Sequence, residues 1–422
     1  MTTAWPAIAP RRNLLCFLAA VLLPVLLDVL LSSAASAASP AGQNAATKLE
    51  TGGEPVTVVC FGDSVTGLYY HSGGRRAYTD LLGIGLQQAS PKARVKTINA
   101  GLSGHTTRDA LKRIQRDVLA HRPTLVTVMF GLNDMTRVPL DEYHSNLVTI
   151  VEQCRAAASE VMLCTPNSVI NTASRPTEKL VQYCEVVRLV AHEQGVAVCD
   201  AYNSFDEVRK RDPLAWRLMM SDEIHPNMAG HKLIAEALTR TITGRTVSLA
   251  EVKPPSPSIP KTFFFLKTGK TVKILAMPPF DALIGPALKQ LNSQAVLEIT
   301  AWPTAGQTLV QLEQEAQKRV RQMKPDLVVI AVPRTADAAS QEQFIRSHSW
   351  IMNWSLSFGK QEWDCLVIHP SVFDADKTDD QRDDLIRRLV KAQDLSLMDR
   401  QAGDHSNASD ILVNWLRRQS GQ

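Results

Sequence analysis

Short, almost wholly apolar runs alternate with amphipathic stretches along most of the chain, and this alternation restricts the fold more than any other feature. "VTVVCF" from Val56, "VKTINA" from Val95, "TLVTVMF" from Thr124, "EVMLC" from Glu160 and "VAVCDA" from Val196 read as strands. "RAYTDLLGIGLQQ", "TTRDALKRIQRDVLAH", "LDEYHSNLVTIVEQCRAAA", "EKLVQYCEVVRLVAHEQ" and "NMAGHKLIAEALTRTI" carry helical periodicity. Apolar strands separated by helices predict an α/β fold, a mostly parallel sheet covered on both faces. Ligands of such sheets bind beyond the carboxyl ends of the strands. The turns after the first three strands are therefore the places to look for chemistry.

At 422 residues the chain is long enough for two domains. "EVKPPSPSIPK" from Glu251 is Pro-rich and reads as a stiff linker. Beyond it the alternation resumes with "TVKILAM", "AVLEITA", a helix around "TLVQLEQEAQKRVRQM", "DLVVIAV", "DCLVIHP" and the terminal helix "ASDILVNWLRR". The expected organisation is a signal peptide over 1–38, a spacer without apolar period over 39–54, a first α/β domain over 55–245, a linker over 246–261 and a second α/β domain over 262–422.

The signal reading rests on Arg11 and Arg12 before an apolar run over 14–31, then a small-residue tract in which Ala35 and Ala37 form an A-x-A site. Cleavage after Ala37 or Ala38 implies an exported protein, periplasmic or secreted, with a retained anchor as the alternative. Asp28 interrupts the run, which argues against stable membrane insertion. Loss of two arginines and one aspartate with this segment takes the formal net charge from +4 to +3. That balance, with only 6% aromatic residues and none interleaved with a basic tract, excludes a nucleic-acid partner. Of the cysteines, Cys60, Cys164, Cys199 and Cys365 fall in strand-like runs and Cys154 and Cys184 on helices. They read as small buried hydrophobes, although export would permit a disulfide.

Four short stretches carry the chemistry. "GDS" at Gly62 follows the first strand, "SGHT" at Ser103 the second and "GLND" at Gly131 the third, while "DEIHPN" at Asp222 precedes the closing helix. A serine hydroxyl needs a base to become a useful nucleophile at neutral pH, and a histidine base needs a partner that fixes its tautomer. Asp222 stands three residues before His225, on one side of a turn. A nucleophile elbow would need G-x-S-x-G, but Thr66 occupies the last glycine position. A dinucleotide loop would need a middle glycine that "GDSVTG" lacks. The histidines show no H-E-x-x-H spacing, and His71, His105 and His144 read as surface residues, with a place near the pocket as the alternative.

In this order the four stretches resemble the blocks of the SGNH/GDSL hydrolase family over about residues 55–245. The resemblance implies a flavodoxin-like α/β/α sandwich and an esterase or acylhydrolase working through an acyl-enzyme, without cofactor or metal. It implies Ser64 as nucleophile, His225 as general base and acid, and Asp222 as its orienter. It further implies an oxyanion hole made by the Ser64 N–H, the Gly104 N–H and the Asn133 amide. Asp63, Asp134 and Asn227 belong to the same blocks and read as loop scaffolding. The expected substrate is a small-molecule or glycan ester, with carbohydrate O-acetyl groups favoured because the loop "DMTRVPLDEY" after Asn133 is too polar for a lipid lid. The alternatives are a lipid- or thioester-directed acylhydrolase, an acyltransferase, and a non-enzymatic binding protein.

The second half reads as a worn copy of the first. Gly104 of "SGHT" and Gly306 of "AGQT" each stand 19 residues before a strand beginning P-x-L-V. Phe280 falls where the nucleophile should be, Thr335 replaces the oxyanion asparagine, and Ala402 stands three before His405 where the aspartate should be. A degenerate, non-catalytic SGNH-like domain is expected there.

Overall fold

The computed structural model describes residues 45–374 and 380–421. The expected signal peptide lies outside them. Each predicted apolar run forms a strand: β1 (Val56–Gly62), β2 (Val95–Gly101), β3 (Leu125–Met129), β4 (Glu160–Cys164) and β5 (Ala197–Cys199). They build one sheet in the order β2-β1-β3-β4-β5, every pair parallel. All five residues of β3 are buried, as a central strand with helices on both faces requires.

The second half repeats this plan. Strands β6 (Val272–Ala276), β7 (Leu297–Ala301), β8 (Leu327–Ile330), β9 (Asp364–Ile368) and β10 (Leu397–Met398) form a second parallel sheet, ordered β7-β6-β8-β9-β10. In chain order within each half, the two sheets have the same topology. Gly104 and Gly306 both sit in the left-handed region, at φ 76° and 71°. Asn227 and Asn407, each two residues after its histidine, cap equivalent helices, Met228–Thr243 and Ala408–Ser420. Each half has its own apolar core, and the halves pack into one compact unit.

Two predicted segments differ from expectation. The spacer holds a helix, Ala45–Thr51, whose Ala45 and Leu49 are buried and whose first N–H donates to Glu160 Oε2 at 2.8 Å. Two apolar residues seven-residue helix-wide are too few to show a period, although they suffice to dock it. The stretch read as a stiff linker is packed as a strap: Leu249 and Ile259 are fully buried, and its carbonyls at Lys253 and Pro255 accept from Arg76 and Arg75. The second half's first helix starts inside it, at Pro260. All six described cysteines are free thiols.

Asn227 ties the closing helix to the loop before it. Its Oδ1 accepts from Ala229 N–H at 3.0 Å and its Nδ2 donates to the Leu218 carbonyl at 2.7 Å. Asn227→Ala removes a cap and leaves a buried carbonyl unpaired, so unfolding in urea should show a loss of about 2 kcal/mol.

Candidate active site

β1 ends in a turn so tight that a Cβ on Gly62 would stand 2.0 Å from Thr66 Oγ1 and 2.7 Å from the Met129 carbonyl. Only glycine fits, and the turn delivers Ser64 to the carboxyl edge of the sheet. Asp63 braces it, accepting from Val65 N–H at 2.9 Å. Buried Arg113 joins the ends of β1 and β2 from below. It donates to the Gly62 and Ala100 carbonyls at 2.8 Å each, with its guanidinium 4.5 Å over the Phe61 ring.

The structure brings together Ser64, His225 and Asp222. Ser64 Oγ lies 2.8 Å from His225 Nε2, and His225 Nδ1 lies 2.8 Å from Asp222 Oδ2. A carboxylate only accepts, so Nδ1 carries the proton and Nε2 is left to accept from the serine hydroxyl. Asp222 takes three more hydrogen bonds: from Ile224 N–H (2.9 Å), His225 N–H (2.7 Å) and the Tyr70 hydroxyl (2.7 Å). Burial alone would raise its pKa. The His225 charge and these donors reverse that and hold the carboxyl well below the usual carboxylate range. Burial likewise opposes a charged His225, but the Asp222 charge and hydrogen bond prevail and raise its pKa above the ordinary imidazole value. Glu223, the neighbouring carboxylate, instead faces Arg346 at 3.8 Å.

Gly104 needs its glycine for conformation rather than space, since a Cβ there would meet nothing within 4 Å while φ is +76°. Neither the Ser64 nor the Gly104 backbone N–H has a hydrogen-bond partner among the described residues. Asn133 Nδ2 donates to the His105 carbonyl at 3.1 Å and approaches Asp63 Oδ2 at 3.4 Å, which sets the amide beside the serine turn. Burial pushes the Asp63 pKa up to about 6. Asp134 holds the next loop, accepting from Thr107 N–H and Oγ1 at 2.8 and 2.6 Å.

His71 corrects the surface reading given to it above. It is fully buried, its Nε2–H donates to the Ser64 carbonyl at 2.8 Å, and its ring stacks on His225 with centroids 4.4 Å apart. His231 stacks behind it at 5.8 Å, its Nδ1 accepting from Tyr78 N–H. Burial first, and then the His225 charge, drive the His71 pKa well below its ordinary value and that of His231 to about 3. Two neutral rings thus back His225, whose own pKa is raised. His144 pairs with Glu193 at 2.7 Å and takes no part, while His105 contributes only its carbonyl. Tyr70 lies in no motif, and Arg113, a charged residue on the buried face of the helix Thr107–Asp117, reads from the sequence as an ordinary helix arginine. Their signal is purely three-dimensional.

This constellation can activate a serine, hold a histidine in one tautomer and offer N–H groups to a developing oxyanion. A family model for the GDSL-like lipase/acylhydrolase family matches residues 60–233. An acetylxylan esterase of Geobacillus stearothermophilus is 33% identical over 172 residues, which are 37% of this chain and 76% of that protein. The chain belongs to the GDSL-like lipase/acylhydrolase family. An isoamyl acetate-hydrolyzing esterase 1 homolog of Rattus norvegicus is 28% identical over 233 residues, 49% of this chain and 88% of that protein. A crystal structure of the acetylxylan esterase Axe2 from Geobacillus stearothermophilus aligns at 29% identity and a TM-score of 0.39, covering 44% of this chain and 94% of that one. As a GDSL-like acylhydrolase the protein is a carboxylic ester hydrolase, and the matched span contains every block that its sequence shares with the family.

Histidine titration by NMR checks these electrostatics. His225 should titrate above about 6.5, the ordinary imidazole value, while His71 titrates well below it and His231 at about 3. Because the unfolded chain would protonate those two rings and the native one does not, they should erode stability as pH falls below about 6.5. A His71 signal titrating near 6.5 would contradict the stacked, buried arrangement.

Proposed function

We propose that this protein is an exported serine esterase that removes short acyl groups, acetyl foremost, from small or carbohydrate-borne alcohols. The observation that carries the reading is the relay of two 2.8 Å contacts from Ser64 through His225 to Asp222. Ser64 Oγ attacks the ester carbonyl as His225 Nε2 takes its proton, and Asp222 stabilises the imidazolium so formed. The oxyanion is met by the N–H groups of Ser64 and Gly104 and by the Asn133 amide, which turns from the His105 carbonyl towards it. His225 then protonates the leaving alcohol. Water enters by the same route in reverse, with His225 as its base, and frees the acid and Ser64.

Three features favour a short acyl group on a polar alcohol. Ser64 is only 7% exposed, so the acyl group must fit a confined space. The loop following Asn133 is polar. Two of the relatives are named for acetate esters, one of them on xylan. Export rests on the N-terminal sequence alone. No described helix is long and apolar enough to cross a membrane.

The second half reads as a copy of the first that has lost the chemistry while keeping the topology. Phe280, at the nucleophile position, is fully buried and packs edge-on against Phe373 at 5.6 Å. An aromatic ring thus fills the place of the serine, while His405 and Ala402 lie exposed.

Initial rates on p-nitrophenyl esters from acetyl to decanoyl, and on acetylated xylooligosaccharides, test the reading. Ser64→Ala, His225→Ala and Asp222→Asn should each lower kcat by about 10³-fold or more with the fold intact. Asn133→Ala should cost about 10²-fold, equivalent to about 3 kcal/mol of oxyanion stabilisation. Acetyl should be the best acyl group. Full activity in Ser64→Ala would sink the assignment, and a preference for decanoyl would redirect it to lipids. His405→Ala should match the parent.

A further inference from the structure

Ser221, the residue before Asp222, is where the second half of the chain grips the catalytic loop. Its N–H donates to the His225 carbonyl at 2.9 Å and closes the turn that carries both Asp222 and His225. Its other two polar groups go to Asn353, in the last turn of the helix Gln341–Ser355. The Ser221 hydroxyl donates to Asn353 Oδ1 at 2.8 Å, and Asn353 Nδ2 donates to the Ser221 carbonyl at 2.9 Å. Both residues are 1% exposed. Two surfaces that needed only to adhere would do so with apolar side chains. A buried amide that spends both its ends on one residue fixes the register of that residue.

The same half also holds Tyr70, whose hydroxyl donates to Asp222 Oδ2, the oxygen that also meets His225 Nδ1. Trp350 lies 6.1 Å and Phe358 5.9 Å from the Tyr70 ring. Gln393 Nε2 donates to the carbonyls of Tyr70 and His71 at 3.3 and 3.2 Å. A helix, the loop after it and the end of another helix thus converge on the two segments that orient the Asp222 carboxylate.

We propose that the second half is a positioning clamp for the acid member of the triad, with Asn353 as its central positioning residue acting through Ser221. The proposal rests on the Ser64–His225–Asp222 reading above and gives the non-catalytic half its function. Asn353 touches no reacting atom. It keeps Asp222 Oδ2 at hydrogen-bond distance from Nδ1, so that His225 stays in the right tautomer and retains its raised basicity.

The test uses the full-length chain and p-nitrophenyl acetate. His225 is faced by Asp222 on its own loop, Tyr70 and His71 from the turn after β1, Asp63 from the serine turn, His231 from the next helix and Arg175 from the loop after β4. Asn353→Ala alters none of these groups except through the placement of Asp222. It should lower kcat about 10–100-fold with KM within about threefold, and move the acid limb of kcat/KM to lower pH as the carboxylate's hold on His225 weakens. Ser221→Ala, which removes one hydroxyl and keeps the carbonyl bond, should shift both in the same direction by less, and it carries the test if Asn353→Ala does not fold. Parent kcat and an unmoved acid limb in the folded variants would overturn the clamp. A fall in kcat with the limb unmoved would overturn it too, since it would mean only fewer competent molecules. Ser64→Ala run alongside separates the two layers. If it is inactive while Asn353→Ala behaves as the parent, the clamp alone fails; if it stays active, the triad reading fails and the clamp with it.

Discussion

A carboxylate buried as deeply as Asp222 can stay ionised only if its lone pairs are met by donors fixed in place. Four donors meet them here: two backbone N–H groups from its own turn, one imidazole and one phenol. Each donor makes a demand on the surrounding fold. The two amides require the 221–227 turn to close on itself, which Ser221 and Asn227 do at its two ends. The phenol requires the turn after β1 to stand upright against the catalytic loop, which takes packing from outside the first sheet. Ser64 is thus linked, through the imidazole and the carboxylate, to elements more than a hundred residues away in the chain.

Most of the scaffold could be read from the residues because its causes are local. Strands such as Leu125–Met129 announce themselves by being apolar at all but one position, and glycines such as Gly104 mark a backbone that other residues adopt only with strain. The four blocks stand at strand ends or before a helix, and the fold gathers three of their residues, Ser64, Asp222 and His225, to within 2.8 Å of a neighbour. What escaped was whatever depends on the meeting of the two halves. The helix Gln341–Ser355 shows no clean apolar stripe because Ser347, Ser349, Asn353 and Ser355 are polar yet buried. Asn353, which joins the halves, dilutes the helical period together with Ser347 and Ser349, whose hydroxyls bond within the second half. His71 was misread for a related reason: a histidine in a turn looks solvated until a serine carbonyl and two other rings are placed around it.

The His225–His71–His231 row shows how one ring can be kept basic among others. Only His225 has a carboxylate in hydrogen-bond contact; the inner two meet a carbonyl and a backbone N–H, which suit neutral imidazole. Neighbouring rings with the same intrinsic chemistry are thus pushed in opposite directions by what their nitrogens touch. The stack also gives His225 a flat, uncharged surface to lie against, so its orientation is fixed from one face as well as from both nitrogens.

Two sheets of one topology in a single chain amount to a dimer whose subunits need not match. In a symmetric pair every substitution appears twice, so a contact that suits one active site must be tolerated at the other. Covalent linkage removes that restriction and keeps the partner at high local concentration without a large interface. One half can then fill its own crevice with Phe280 and devote a helix face to the other's turn. Seen this way, the family-sized span of 60–233 is one half of an asymmetric pair, and the other half is free to change wherever it does not touch the first.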